Sequence, residues 1–199
     1  MKKLILTLTC ISSILLTSNA MAAGDGSLIL SFAGVANDTE KQVRENETNN
    51  EVNIGGGILV EANINEKFGI ETGALLINRQ YDAEKGEARL LQETKRLHIP
   101  IMARFWVTDW FSVATGPFVA FRTGDTKTTL KVGDTELGSL KTSADESVEY
   151  GIDTAATFNI SIDDKSGIFL EGRYSDLFDQ DNTEKFNEVS ALAGFKMQL

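Results

Sequence analysis

His98 is the only histidine in this chain of 199 residues, so any chemistry that needs an imidazole base rests on one position. A serine or threonine hydroxyl becomes a nucleophile only when a base is held against it. Hydroxyls are plentiful here, yet no Ser–His pair follows from spacing, and a lone histidine near a strand end is more often structural. No catalytic residue is assigned, and a lipid-modifying barrel enzyme of the deacylase type stands as an alternative reading. Metal-ligand clusters are absent from the sequence, so no metal or cofactor is expected. Gly55-Gly56-Gly57 falls within a strand pattern rather than in a phosphate-cradling loop.

A different chemistry is written in six other residues. Glu61 and Glu71 stand three residues from Ile64 and Phe68, at either side of a short polar turn, and Arg104 stands three before Val107. Glu171 follows Ile168 by three, Lys196 lies three before the last residue, and Arg173 stands two beyond Glu171. Three negative and three positive side chains thus share one level when each strand is measured from its short turn. Their flanks are apolar, as in "RLHIPIMARFWVTDWFSVATGPFVAFR", residues 96–122. Charges on a solvated surface have no need to line up and cancel. Charges enclosed in a narrow lumen have both needs, because an unpaired buried ion costs several kcal/mol. Glu61 and Glu71 should lie side by side and would repel, so Arg104 or Lys196 is expected to reach them.

The elements that would place these charges are strands. Hydrophobicity repeats with period two, punctuated by Gly, Asn, Asp and Ser, over roughly 27–36, 51–64, 68–82, 93–107, 111–124, 146–162, 168–178 and 187–199. Connections alternate between tight turns (65–67, 108–110, 163–167) and long polar loops (37–50, 83–92, 125–145, 179–186). An even number of strands that begins and ends on the short-turn side is the plan of an eight-stranded antiparallel up-and-down transmembrane β-barrel. The stretch 128–142 is expected to form an extra hairpin about Gly133-Asp134, too short to cross a membrane and therefore part of the third outer loop.

In every strand one parity is apolar, for example Leu97, Ile99, Ile101, Ala103, Phe105 and Val107, while the other carries Glu61, Glu71, Arg79, Arg104, Arg122, Asp153, Glu171, Arg173 and Lys196. A soluble periplasmic ligand-binding barrel would turn the apolar parity inward. The shared level of the charges favours the inside-out arrangement, with Arg79 and Arg122 near a water-accessible outer rim. Two aromatic levels agree with it: Phe68, Phe105, Trp106, Trp110, Phe111, Phe158 and Phe195 near the short turns, and Tyr81, Phe121, Tyr150 and Tyr174 toward the long loops. Pro100 and Pro117 donate no ladder bond, and a local bulge is expected between their strands; a register shift there would swap the faces of His98 and Arg122. Gly55, Gly57, Gly69, Gly73, Gly116 and Gly151 point inward and are expected to leave some lumen space.

Residues 1–22 read as a cleaved export signal: Lys2 and Lys3, an apolar run from Leu4 to Leu16, and Ala20-Met21-Ala22. The mature domain is then 23–199. Cys10 lies in that signal, so neither a disulfide nor a thiol site is expected beyond it. Without Lys2 and Lys3, 17 of the 19 basic residues face 29 acidic ones, a net charge of −12. Such a surface repels nucleic acid, while acidic loops could hold divalent cations.

At "LHIPIMARFWVTDWFSVATGPFVAF" the chain resembles the outer-membrane β-barrel domain family, small porin-like proteins of Gram-negative bacteria. The resemblance is carried by Ile99-Pro100, the alternation into Thr108-Asp109, and Gly116-Pro117. It implies an integral outer-membrane barrel without catalytic residues. The final "GFKMQL" partly matches a barrel-assembly signal, ending in Leu199 where an aromatic is usual. Expected partners are outer-membrane lipids and lipopolysaccharide, the barrel assembly machinery during insertion, and an undefined ligand of the outer loops. The expected role is envelope-structural or surface-interacting.

Overall fold

The structure is a computed structural model that describes residues 26–41, 52–85, 88–132, 135–142, 148–178 and 186–199. The export-signal segment 1–22 lies outside them. Nine strands are present among the described residues: β1 (Leu28–Lys41), β2 (Asn53–Asn63), β3 (Phe68–Lys85), β4 (Ala88–Thr108), β5 (Phe111–Val132), β6 (Thr135–Thr142), β7 (Val148–Ser161), β8 (Ser166–Leu177) and β9 (Phe186–Gln198). Eight of them close a barrel in which every neighbour is antiparallel. β1 pairs with β9 to join the ends of the sheet, and β5 pairs with both β4 and β7. β6 pairs only with β5 and stands outside the ring.

Period-two side-chain alternation decides which way the barrel faces. Leu28, Phe32, Ile58, Phe68, Ile70, Leu76, Ile101, Phe105, Ile152, Phe158, Leu170 and Phe195 are exposed on the outer wall. The alternate positions Ser31, Asn63, Glu71, Arg104, Asp153, Glu171 and Lys196 are buried inside. The apolar side therefore meets lipid. Phe68–Phe105, Trp110–Phe158, Phe111–Phe158 and Tyr150–Phe178 are ring contacts of 5.1, 5.9, 5.0 and 6.3 Å near the two ends of that wall. Trp106 departs from the expected lower ring: it is 4 % exposed and points into the lumen. The side chain of Tyr81 lies outside the described residues.

The tight turns are capped as their sequences dictate. Asn65 Oδ1 accepts from the backbone amides of Lys67 and Phe68, and Asp163 Oδ1 accepts from those of Lys165 and Ser166. Thr108 Oγ1 accepts from Phe111 N. Side chains that imitate a backbone turn in this way favour Asn, Asp and Thr at such sites.

The opposite side differs from the expected long loops. β3 and β4 run on as a hairpin to the pair Lys85↔Ala88, so 83–92 is mostly strand. β5 continues to Val132 and returns through β6, which is the extra hairpin expected over 128–142. Together they form a flange, a sheet that rises from the outer rim with β6 at its edge. At its foot Gly124, Asp125 and Thr126 of β5 face Thr94 alone, between the pairs Lys95↔Thr123 and Glu93↔Lys127. Gly124 has φ of 76°, a left-handed conformation that a β-bulge of this kind asks of glycine.

No register shift occurs at the prolines. Pro100↔Phe118 and Ala103↔Thr115 belong to one register, and the β4–β5 irregularities fall at Glu93/Lys95 and Trp106/Thr108 instead. The missing donor interrupts the ladder locally without displacing it, and His98 stays inward. The inward glycines do not open space. At Gly57 and Gly151 the carbonyl oxygens of Ala74 and Asp176 lie 2.0 Å from where a Cβ would be, so the partner strand itself fills the room. Glycine there lets a narrow barrel coil tightly.

Candidate functional site: the ionic column of the lumen

The lumen is built in layers along the barrel axis. Nearest the short turns lies the belt. Glu61 and Glu71 are directly opposite one another on β2 and β3. Arg104 on β4 reaches both, with Nε 3.5 Å from Glu61 and Nη2 in contact with Glu71. The same Nη2 lies 3.1 Å from Glu171 on β8, while Nη1 donates to Ser112 Oγ at 2.8 Å and Thr157 Oγ1 at 2.6 Å. Arg173 closes the network from β8, donating to Glu171 through Nε at 2.9 Å and through Nη2 to Glu71 at 2.9 Å. Two planar forks thus bridge three carboxylates. Arginine suits this because its donors are held in a fixed fork.

Lys196 completes the belt differently. It is buried and hydrogen-bonds Asn159 Oδ1, and its ammonium sits 4.8 Å from the centre of the Trp106 ring. No carboxylate lies within ion-pair distance of it among the described residues. Trp106 also donates from its indole nitrogen to Glu61 Oε1 at 2.9 Å. The side chain that departs from the aromatic ring is therefore a working member of the belt. The six charges read from the sequence, Glu61, Glu71, Arg104, Glu171, Arg173 and Lys196, are all buried at one end of the lumen. Around them a void of only about 10 Å³ remains, room for no more than one water.

Above the belt, on the side of β1, β2, β3 and β9, comes an apolar layer of Val35, Leu59, Leu75, Ile77 and Leu192, with Phe169 joining from β8. On the other side His98 bridges the levels. Its Nε2 lies 2.8 Å from Asp153 Oδ2, its ring stacks on Phe118 at 4.4 Å, and Asp153 in turn lies 3.5 Å from Arg173. The remaining ring nitrogen, Nδ1, has no hydrogen-bond partner, so no hydroxyl is held against the imidazole.

Toward the outer rim stands a second ionic layer that sequence reasoning missed. Arg79 on β3 and Arg96 on β4 both bind Glu149 on β7 and Glu188 on β9. Arg79 lies 3.3 Å from Glu149 and 3.2 Å from Glu188; Arg96 lies 2.7 Å from Glu149 and contacts Glu188. Arg79 is therefore not at a water-filled rim, as its distance from the short turn suggested, but 3 % exposed within a square of two acids and two bases. Arg122 is half-buried nearby. The signal was available, since Arg96 shares parity with Arg104, Glu149 with Asp153, and Glu188 with Lys196.

Chemically the column neutralises itself and fills the lumen. Two ionic layers, with apolar side chains between them on one side and His98–Asp153 on the other, occupy the lumen among the described residues, in keeping with an eight-stranded barrel whose interior side chains can fill.

Comparison with known proteins agrees with this geometry. Residues 26–176 match the model of the outer membrane protein beta-barrel domain. The fold is similar to that of Ail, the attachment invasion locus protein of Yersinia pestis, solved with the heparin analogue sucrose octasulfate. That likeness has a TM-score of 0.53 at 10 % identity and covers 87 % of this chain and 99 % of Ail. OprG of Pseudomonas aeruginosa gives a TM-score of 0.53 at 16 % identity, covering 91 % of this chain and 99 % of OprG. No curated protein sequence matches. A lipid-facing apolar wall, an ionic lumen and a family match over most of the chain lead to one conclusion: this is an outer-membrane β-barrel protein of a Gram-negative bacterium, a member of the outer membrane protein beta-barrel domain family.

Proposed function

We propose that this barrel is a non-enzymatic anchor, closed to solutes, that presents the β3–β6 flange for contact at the cell surface and contributes to envelope integrity. The observation that carries the reading is the division of labour in the chain. The lumen is spent on mutual neutralisation, whereas β4, β5 and β6 carry ordered strand beyond the ring. An anchor needs a stable wall and a projecting surface, and neither needs a reactive centre.

The deacylase alternative asks for a hydroxyl aligned with a base near the lipid face. His98 is 1 % exposed, faces inward and is engaged by Asp153, which argues against it. Three measurements test the proposal together. Purified protein in planar bilayers is expected to show no stable conductance. Replacing 125–145 by a short turn is expected to leave detergent-resistant, heat-modifiable folding intact while abolishing surface contact of intact cells. Steady single-channel currents would overturn the closed reading. Release of fatty acid from lipopolysaccharide by wild type, lost in His98→Ala, would overturn the non-enzymatic one.

A further inference from the structure

A cavity of about 570 Å³ opens at the foot of the flange. Part of its wall is Val52 and Ile54, 67 % and 72 % exposed. Another part is cationic: Lys95, Lys127 and Lys141, from β4, β5 and β6. Lys127 lies opposite Glu93 on one side and Lys141 on the other, so two ammonium groups are cross-strand neighbours. Like charges placed so are destabilising, and an anion seated between them would relieve the repulsion. Glu93 and Asp125 also line the cavity, two acids against three lysines, while Arg79 is already committed to Glu149 and Glu188. In a chain of net charge −10 this is a local excess of positive charge on the outside.

Its height identifies the occupant. Lys95 continues the outward parity of Leu97, Ile99 and Ile101, one alternation above Leu97, about 7 Å along the strand. There the apolar outward parity of β4 gives way to charge at Lys95 and Glu93. A molecule filling this site meets hydrocarbon-compatible side chains at Val52 and Ile54 and ammonium groups beside them. We propose that the cavity binds the phosphorylated headgroup of an outer-leaflet glycolipid, with its phosphate among Lys95, Lys127 and Lys141 and its apolar portion against Ile54 and Val52. The inference rests on outer-membrane residence and is independent of what the flange contacts.

The test uses the full folded protein in nanodiscs, with fluorescent lipopolysaccharide bearing phosphorylated lipid A as probe. The combined variant Lys95→Gln, Lys127→Gln, Lys141→Gln is expected to bind at least tenfold more weakly. The matching triple arginine variant should retain binding, which separates loss of charge from loss of fold. Lys67→Gln and Lys165→Gln, in the short turns, should bind as wild type. Enzymatically dephosphorylated probe should bind wild type as weakly as phosphorylated probe binds the triple glutamine variant. Unchanged affinity of that variant, or equal binding of the dephosphorylated probe, would overturn the proposal. So would complete displacement by millimolar inorganic phosphate, which would mark a free-anion site. A conductance or flange-exchange result that refutes the anchor reading leaves these outcomes untouched.

Discussion

The two ionic layers of the lumen use the same residue types to different depth. In the belt, Glu71, Glu171, Arg104 and Arg173 have side chains 5 % exposed or less, and each arginine is shared between acids. In the outer layer Glu149 retains 22 % side-chain exposure, so water can partly replace a lost partner. The difference lies at one corner: the outer layer has a partly wet member in Glu149, while Glu188, Arg79 and Arg96 are as dry as the belt. Breaking a buried pair leaves an uncompensated charge, while a partly wet one relaxes into solvent.

Arg104→Ala should show this most sharply. Among the described residues it leaves Glu61 with only the Trp106 donor, and Glu71 and Glu171 with Arg173 alone as ion-pair partner, and a loss of about 3–5 kcal/mol is expected, read as a lower urea midpoint for unfolding in detergent micelles. Arg104→Lys should recover only part of that, because one ammonium cannot span Glu61, Glu71 and Glu171. Arg96→Ala in the outer layer is expected to cost less, about 1–3 kcal/mol, since Arg79 still serves both acids. A larger cost for Arg96 than for Arg104 would break the comparison. Trp106→Phe removes the indole donor to Glu61 and is expected to cost about 1–2 kcal/mol, with the indole signal itself reporting the site in near-ultraviolet circular dichroism. The smallest effect belongs outside the membrane. Asp163 is fully exposed, and hydrogen bonds from the Ser166 hydroxyl and then from the Lys165 and Ser166 amides hold its carboxyl below the usual aspartate range. Its support of the β7–β8 turn is complete above that usual range and is lost as pH falls through the lowered value. NMR titration should find a depressed midpoint in wild type, and Ser166→Ala should move it back upward.

Much of this was legible because parity is a local property. Alternation in 97–107 alone fixes which residues meet lipid, and counting from the short turns places Glu61, Glu71, Arg104 and Glu171 at one level. What parity cannot convey is which residues meet across the lumen. Arg96 and Glu188 touch from strands that are not neighbours, and that distance depends on the stagger of the closed sheet. Trp106 was misplaced because an aromatic beside a turn resembles an interface anchor, although its even number already set it on the side of Arg104. The β5–β6 hairpin was legible from the turn pair Gly133-Asp134, but the β3–β4 part of the flange was read as loop because its polar residues carry no lipid-facing alternation, yet strand pairing beyond the rim needs only backbone.

The seam between β1 and β9, running from Ile29↔Gln198 to Lys41↔Phe186, ties the earliest described strand to the last. The cylinder cannot be sealed until β9 has been made, and pairings so distant along the chain are the slowest to form. Until that seam forms, the lipid-facing side chains of β1 to β8 have no closed wall behind them, so sealing rather than local hairpin pairing sets how long they stay uncovered.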